Sequence, residues 1–237
     1  MPRGWSGPVS ILPGFLLLLL AGLVFPQNLT SLQVDFERQT RKRGTDETVR
    51  GTIYYESAGK CVAVVRDPID QRLIITDTEL VVYYPVERKG FRFHSPTAAA
   101  LPFFQAFLWS LKEDYGLTEI GYALAGYQVR GDTVTSVWSP PPGRSGGKFE
   151  LTYIADRIAG AELRDGSGAV VARSLFRDHI RFGNAYLPLG ITTTTYDRSD
   201  STIETVAFQN PQFNLPLPGA ILDYRIPDDA VMTDIAW

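Results

Sequence analysis

The sequence predicts a mainly β protein, an antiparallel sheet of roughly ten to twelve strands, closed or nearly closed into a barrel, with one amphipathic helix set against it. Three observations lead there. Short runs rich in Val, Ile, Tyr and Phe recur along most of the chain. Turn residues separate them at spacings too short for crossover connections, which forces neighbouring strands antiparallel. One long stretch in mid-chain breaks this rhythm with a clear 3.6-residue period.

The chain has 237 residues, 44% of them hydrophobic and 21% charged, and a net charge of −3. That composition suits one globular domain with a sizeable core, which the sequence places at residues 28–237. Nucleic acid is not an expected partner, because the densest basic run, Arg41-Lys42-Arg43, is followed at once by Asp46 and Glu47. Before the domain, Arg3 precedes an apolar run from Phe15 to Phe25 that is too short to span a bilayer, the layout of a secretory signal peptide over residues 1–27. Leu23-Val24-Phe25-Pro26-Gln27 lacks the small residues that signal peptidase prefers, so a retained N-terminal anchor is the alternative. Cys61 is the sole cysteine, which leaves no disulfide and no lipidated cysteine beside the apolar run; its alternating neighbours predict a buried strand position. Asn28-Leu29-Thr30 matches a glycosylation sequon.

In chain order, Leu32 and Phe36, four apart among polar residues, predict a short amphipathic helix between Leu29 and Arg43. Strands follow at Gly51–Ser57, Cys61–Asp67, Gln71–Thr76, Glu79–Tyr84 and Gly90–His94, divided by Ala58-Gly59, Pro68-Ile69-Asp70, Asp77-Thr78 and Pro85–Lys89. After the helix they resume at Tyr122–Arg130, Thr133–Trp138, Lys148–Ala155, Arg157–Arg164, Val170–Phe176, His179–Ile191, Thr192–Asp197 and Ser201–Phe208. Gly131-Asp132, Pro140–Gly147, Asp165–Gly168 and Asp197–Asp200 carry the turn chemistry. Pro211–Ala230 is rich in proline and is expected to run extended along an edge.

The helix is expected over Thr97–Tyr115. At about 100° per residue, Leu101, Phe103, Phe104, Phe107, Leu108 and Leu111 fall within an arc of roughly 160°. Ser95-Pro96 or Leu101-Pro102 marks its start, and Gly116 is placed to end it in a left-handed conformation. Glu113 and Asp114 stand at the wrong end for the helix dipole, so tertiary contacts must hold it. Such a face serves either as core or as the cover of an apolar site. One helix cannot easily fill a barrel of this size, which leaves apolar room inside. Phe91 and Phe93, two apart and so on one strand face, are the candidates for the opposing wall.

Other motifs read as turns. Gly143-Arg144-Ser145-Gly146-Gly147 fits the G-x-S-x-G pattern of hydrolases, but that motif needs a strand before it and a helix after it, and here prolines precede and a strand follows. Arg130-Gly131-Asp132 falls at a two-residue hairpin turn. His94 and His179, the only histidines, have no second ligand at metal spacing. Neither catalysis, nor a metal, nor a cofactor is expected.

Read in this order, the chain resembles the LolA family of periplasmic outer-membrane lipoprotein carriers. The resemblance rests on Phe36 and Gln39, on Gly51 opening the first strand, on Asp67-Pro68 with Leu73–Asp77 and Leu80–Pro85, on Leu187-Pro188, and on Phe213 with Leu217-Pro218-Gly219-Ala220. Ala58-Gly59 stands where the family carries an Arg-Pro pair, and Thr78 where it has glycine. The resemblance implies an unclosed antiparallel barrel under a helical lid, and a periplasmic carrier of lipoprotein or lipid acyl chains between an inner-membrane donor and an outer-membrane acceptor. Leu101, Phe103, Phe104, Phe107, Leu108, Leu111, Phe91 and Phe93 would then contact the acyl chains. An envelope sensor or scaffold on the same fold is the alternative.

Overall fold

The computed structural model describes residues 29–57, 60–76, 78–94, 102–143, 147–197 and 200–236. Ala58-Gly59, Asp77, Leu101, Ser145 and the segment before Leu29 therefore lie outside the described residues.

Among the described residues fourteen strands form one sheet, and its order explains why it does not close. β1 (Ser31–Lys42) sits in the middle, hydrogen-bonded to β2 (Thr45–Glu56) on one side and to β13 (Asp200–Phe213) on the other. From β2 an antiparallel meander runs outward through β3 (Lys60–Asp67), β4 (Gln71–Ile75), β5 (Glu79–Tyr84) and β6 (Lys89–His94). From β13 another runs back through β12 (Ala185–Asp197), β11 (Val170–Phe182), β10 (Arg157–Arg164), β9 (Lys148–Ile154) and β8 (Thr133–Ser139) to β7 (Ala123–Arg130). β14 (Val231–Ala236) adds to β6 in parallel, so β14 and β7 are the two edges.

The expected helix over Leu29–Arg43 is strand β1. Leu32, Val34 and Phe36 are all buried, a period of two. Residues four apart satisfy both a helical and a strand period, and Val34 between them decides for the strand. Phe36 and Gln39 thus lie on a strand, and Gly51 lies within β2, opposite Phe36. A Cβ on Gly51 would sit 2.3 Å from the Val64 carbonyl oxygen and 2.9 Å from the Phe36 ring, so only glycine lets that ring cover the backbone.

Two other boundaries move. β11 continues through His179 to Phe182, and the hairpin turn falls at Gly183-Asn184, with Gly183 in the left-handed region. Helix α1 spans only Pro102–Trp109. The Ser110 hydroxyl donates to the Phe107 carbonyl at 2.6 Å, and turns with i to i+3 bonds follow, Leu111 to Leu108 and Lys112 to Trp109. Asp114 does not oppose the helix dipole. It accepts from the backbone N–H groups of Gly116 and Thr118, and the Thr118 side chain first, with these amides after it, holds its carboxyl below the usual range. Gly116 does adopt the left-handed conformation, but in this later turn, against the Trp109 ring.

The sheet curls around α1. Phe107 is fully buried, 4.4 Å from Phe208 on β13; Phe104 meets Tyr55 on β2; Tyr115, just past the helix, meets Phe176 on β11. These join Leu32, Val34, Phe36, Ile53, Leu151, Leu187 and Ile191 in the main core. A second core lies on the outer face. The C-terminal tail crosses the sheet instead of following an edge, and Leu217 with Ile221 and Leu222 of the short helix α2 (Gly219–Leu222) packs over Tyr54, Val62 and Val64. Tyr224 continues the cover beneath Arg72, whose guanidinium lies 4.2 Å above its ring.

Candidate functional site

An eight-residue helix is about 12 Å long, whereas fourteen strands at about 4.8 Å make a sheet several times wider. The helix fills the concavity over β1–β3 and β11–β13 and stops there. Beyond it, the inner face of β7–β10 borders an open cavity of about 900 Å³. That is within the range of roughly 300–1,000 Å³ typical of sites for small molecules.

Its walls follow from strand register. Leu124 pairs with Trp138, Tyr127 with Ser136 and Val129 with Val134, and a bulge between Leu124 and Gly126 puts Leu124 and Tyr127 on the same face although they are three apart. Tyr153 and Ile158 extend the wall across β9 and β10. Phe182, Asn184, Ala185 and Tyr186 close one end at the β11–β12 hairpin, and Ser110 to Glu113 close the other just beyond the helix. Leu29, immediately before β1, also lines it.

The lining is mixed: Asp156, Glu113 and Asn184 border it beside the apolar wall, and several of its other polar groups are tied off. The Trp138 indole donates to the Ser136 hydroxyl at 2.9 Å, leaving its ring as apolar wall. The Tyr153 hydroxyl donates to the Glu113 carbonyl at 3.0 Å. Burial, with the neighbouring Asp114 and Glu113 carboxylates, pushes that phenol up to about 12, so it stays neutral. Lys112 at the rim is paired with Glu119. Such a cavity offers an apolar wall of Leu111, Leu124, Trp138 and Ile158 with polar groups at its margins. Among the described residues no group of His, Cys, Asp and Glu converges in a way that could hold a metal ion. His179 bonds the Ile158 carbonyl at 2.8 Å, and its burial lowers its affinity for a proton. Cys61 is buried and its thiol is pushed up to about 12 by desolvation.

Of the residues expected to contact a ligand, Leu111 lines the cavity. Phe104 and Phe107 are buried in the main core and Leu108 packs against it. Phe103 belongs to α1, and Leu101 is outside the described residues. Phe91 and Phe93 lie half-buried on β6, Phe91 edge-on to Tyr84, in the other half of the sheet. The sequence reading missed Leu124, Tyr127, Trp138 and Tyr186, which are apolar residues in ordinary strand runs. Only the alternation of Val134, Ser136 and Trp138 signals a shared face, and nothing local says that this face is uncovered.

Comparison with known structures places this architecture. A DUF1329 family protein from Desulfovibrio piger superposes with a TM-score of 0.62 at 12% identity, over 84% of this chain and 91% of that one. A LolA superfamily protein from Nitrosomonas europaea superposes with a TM-score of 0.56 at 16% identity, over 85% and 93%. An outer-membrane lipoprotein-sorting protein domain from Vibrio parahaemolyticus gives 0.57 at 12% identity, over 81% and 88%. The fold is LolA-like, an unclosed antiparallel sheet wrapped on a helix. No family model and no curated protein matches the sequence.

Proposed function

We propose that this chain is an exported, non-enzymatic carrier that shields acyl chains of a lipoprotein or lipid in the periplasm, with residues 1–27 as its signal and residues 28–237 as its carrier domain. The observation that carries this reading is the apolar cavity left where the helix ends, walled by Leu111, Leu124, Tyr127, Trp138 and Ile158. The LolA-like fold supports it.

The energetics suit such a task. Exposing an acyl chain of about 16 carbons to water costs on the order of 12 kcal/mol, at about 0.8 kcal/mol per methylene. A carrier must replace much of that contact and still release its cargo to an acceptor. Partial enclosure against an open strand edge meets both needs better than a sealed pocket. A longer chain extends past Leu111 along Leu108, Phe107 and Phe104 as the helix parts from the sheet, with Phe91 and Phe93 as the far wall; Leu101 and Phe103 are proposed as further contacts. Donor and acceptor complexes in the two membranes are the proposed partners.

The test is native mass spectrometry of protein exported and purified without detergent, followed by lipid extraction. Acyl lipid or lipoprotein bound at unit stoichiometry is the expected result. A bare mass that also fails to take up a fluorescent fatty acid overturns the carrier reading and leaves the scaffold that docks a partner protein.

A further inference from the structure

β7 pairs with β8 on one side and, among the described residues, with no strand on the other. The Gly131-Asp132 turn joins the two strands, with Arg130 opposite Thr133 and Gly131 in the left-handed region. Residues that flank a two-residue turn exchange both backbone bonds, and the pattern alternates from there. Arg130, Gln128 and Gly126 therefore bond to β8, while the N–H and C=O groups of Tyr127 and Val129 point to the open edge. The two faces divide in the same way. Tyr127 and Val129, both exposed, stand on the cavity face opposite Ser136 and Val134; Gly126, Gln128 and Arg130 stand on the outer face.

The strand itself selects its partner. Sheet edges are commonly blunted by proline, by lysine or by charges within the strand, and Gly126 to Val129 contains none of these. The bulge at Leu124–Gly126 and the turn at Gly131 bound a regular stretch of five residues, Gly126–Arg130, centred on Gln128. A second copy laid antiparallel along it overlaps over the full stretch in one register, with Gln128 on the two-fold axis. Tyr127 then faces the partner's Val129, twice over, an aromatic beside a β-branched residue. Arg130, the strand's one charge, lies opposite the partner's Gly126, so no like charges meet. The same register makes Tyr127 and Val129 the hydrogen-bonded pairs that their open-edge groups require. A slip by one residue would set the apolar side chains against the outer face.

We propose that this chain self-associates through β7, pairing antiparallel with β7 of a second copy about an axis at Gln128. One sheet then runs through both copies, and each cavity mouth gains the partner's Tyr127 and the partner's Val129 as wall. Five residue pairs bury less than the roughly 1,200 Å² at which standard interfaces begin, so the dimer is a weak one that forms in the micromolar range. The inference stands on β7 and holds whatever the cavity takes.

The test is sedimentation equilibrium on the exported protein, purified without detergent, beside variants at exposed positions of β7. A monomer–dimer equilibrium is expected. Gln128→Lys sets two ammonium groups face to face on the axis and should raise the dissociation constant at least about tenfold. Val129→Pro removes an edge N–H that β8 does not use and should do the same. With diamide as oxidant, Gln128→Cys should form an intermolecular disulfide, because Cα atoms in such a non-hydrogen-bonded pair lie about 4.5 Å apart, within the roughly 4.4–6.8 Å that a disulfide spans. Arg130→Cys is the control: it is also exposed, but its two copies stand four residues apart, roughly 14 Å, and should cross-link at least about tenfold more slowly. Buried Cys61 stays unreactive in both. A monomer throughout the micromolar range, a dimer untouched by Gln128→Lys and Val129→Pro, or equal cross-linking at positions 128 and 130 overturns the proposal.

Discussion

β3 and β7 are both eight-residue strands of similar apolar content, KCVAVVRD and ALAGYQVR, yet they meet opposite fates. In β3, Cys61, Ala63 and Val65 pack inward on the main core, while Val62 and Val64 are buried outward beneath Leu217, Ile221 and Leu222. In β7 nearly every residue is exposed, with Leu124 at 52% and Tyr127 at 69%. β3 is covered on both faces and flanked by two strands; β7 is an edge with a cavity on one face. The difference teaches that one sheet can divide its labour. The half near β1–β3 supplies the core, and the half ending at β7 keeps an uncovered face.

Substitutions break this contrast to different degrees. Phe107→Ala removes a fully buried ring lodged against Phe208 and should cost about 3–5 kcal/mol in a denaturant titration. Retention of near-native stability would mean that the helix is not a pillar of the core. Leu217→Asp with Ile221→Asp uncovers the outer face of β3 and should cost about 2–3 kcal/mol, with faster amide exchange in β3 and none of that change in β7. Gly51→Ala should cost about 1–3 kcal/mol, because the added methyl meets the Val64 carbonyl and the Phe36 ring.

Glu204 on β13 sharpens the comparison through pH. Burial raises its pKa above the usual carboxylate value, and Arg38 at 3.8 Å offsets this only in part. The folded state therefore holds the proton to higher pH than the unfolded state. Its ionisation lowers stability as pH rises from about the unfolded value through the raised one. Glu204→Gln should gain on the native protein as pH rises from about 4.5 in parallel thermal melts, by less than any loss above; a constant difference would refute the sign. Least of all for stability, Leu124→Glu with Tyr127→Glu should shift unfolding by no more than about 0.5 kcal/mol, since both side chains are already exposed. The same pair should weaken fatty-acid uptake at least about tenfold, or about 1.4 kcal/mol. Unchanged uptake would take the β7 wall out of the site.

The strands from β2 to β10, the Gly131-Asp132 hairpin, the buried Cys61 and the aromatic helix were all legible from period and turn chemistry. Of the residues named in advance as ligand contacts, and among those described, Leu111 lines the candidate cavity. The helical reading of β1 failed because Leu32 and Phe36 fit two periods at once.

What the sequence determined by itself is what neighbours within a few residues can enforce: strand alternation, turns, one amphipathic helix and enough apolar surface to wrap it. Tertiary structure alone decided that β1 bridges two meanders, that the proline-rich tail seals β3, that β14 joins β6 in parallel, and that β7 is left uncovered. Those outcomes depend on pairings such as Phe36 with Phe208, far apart along the chain. Their free energy comes from area buried between elements, which no local pattern records.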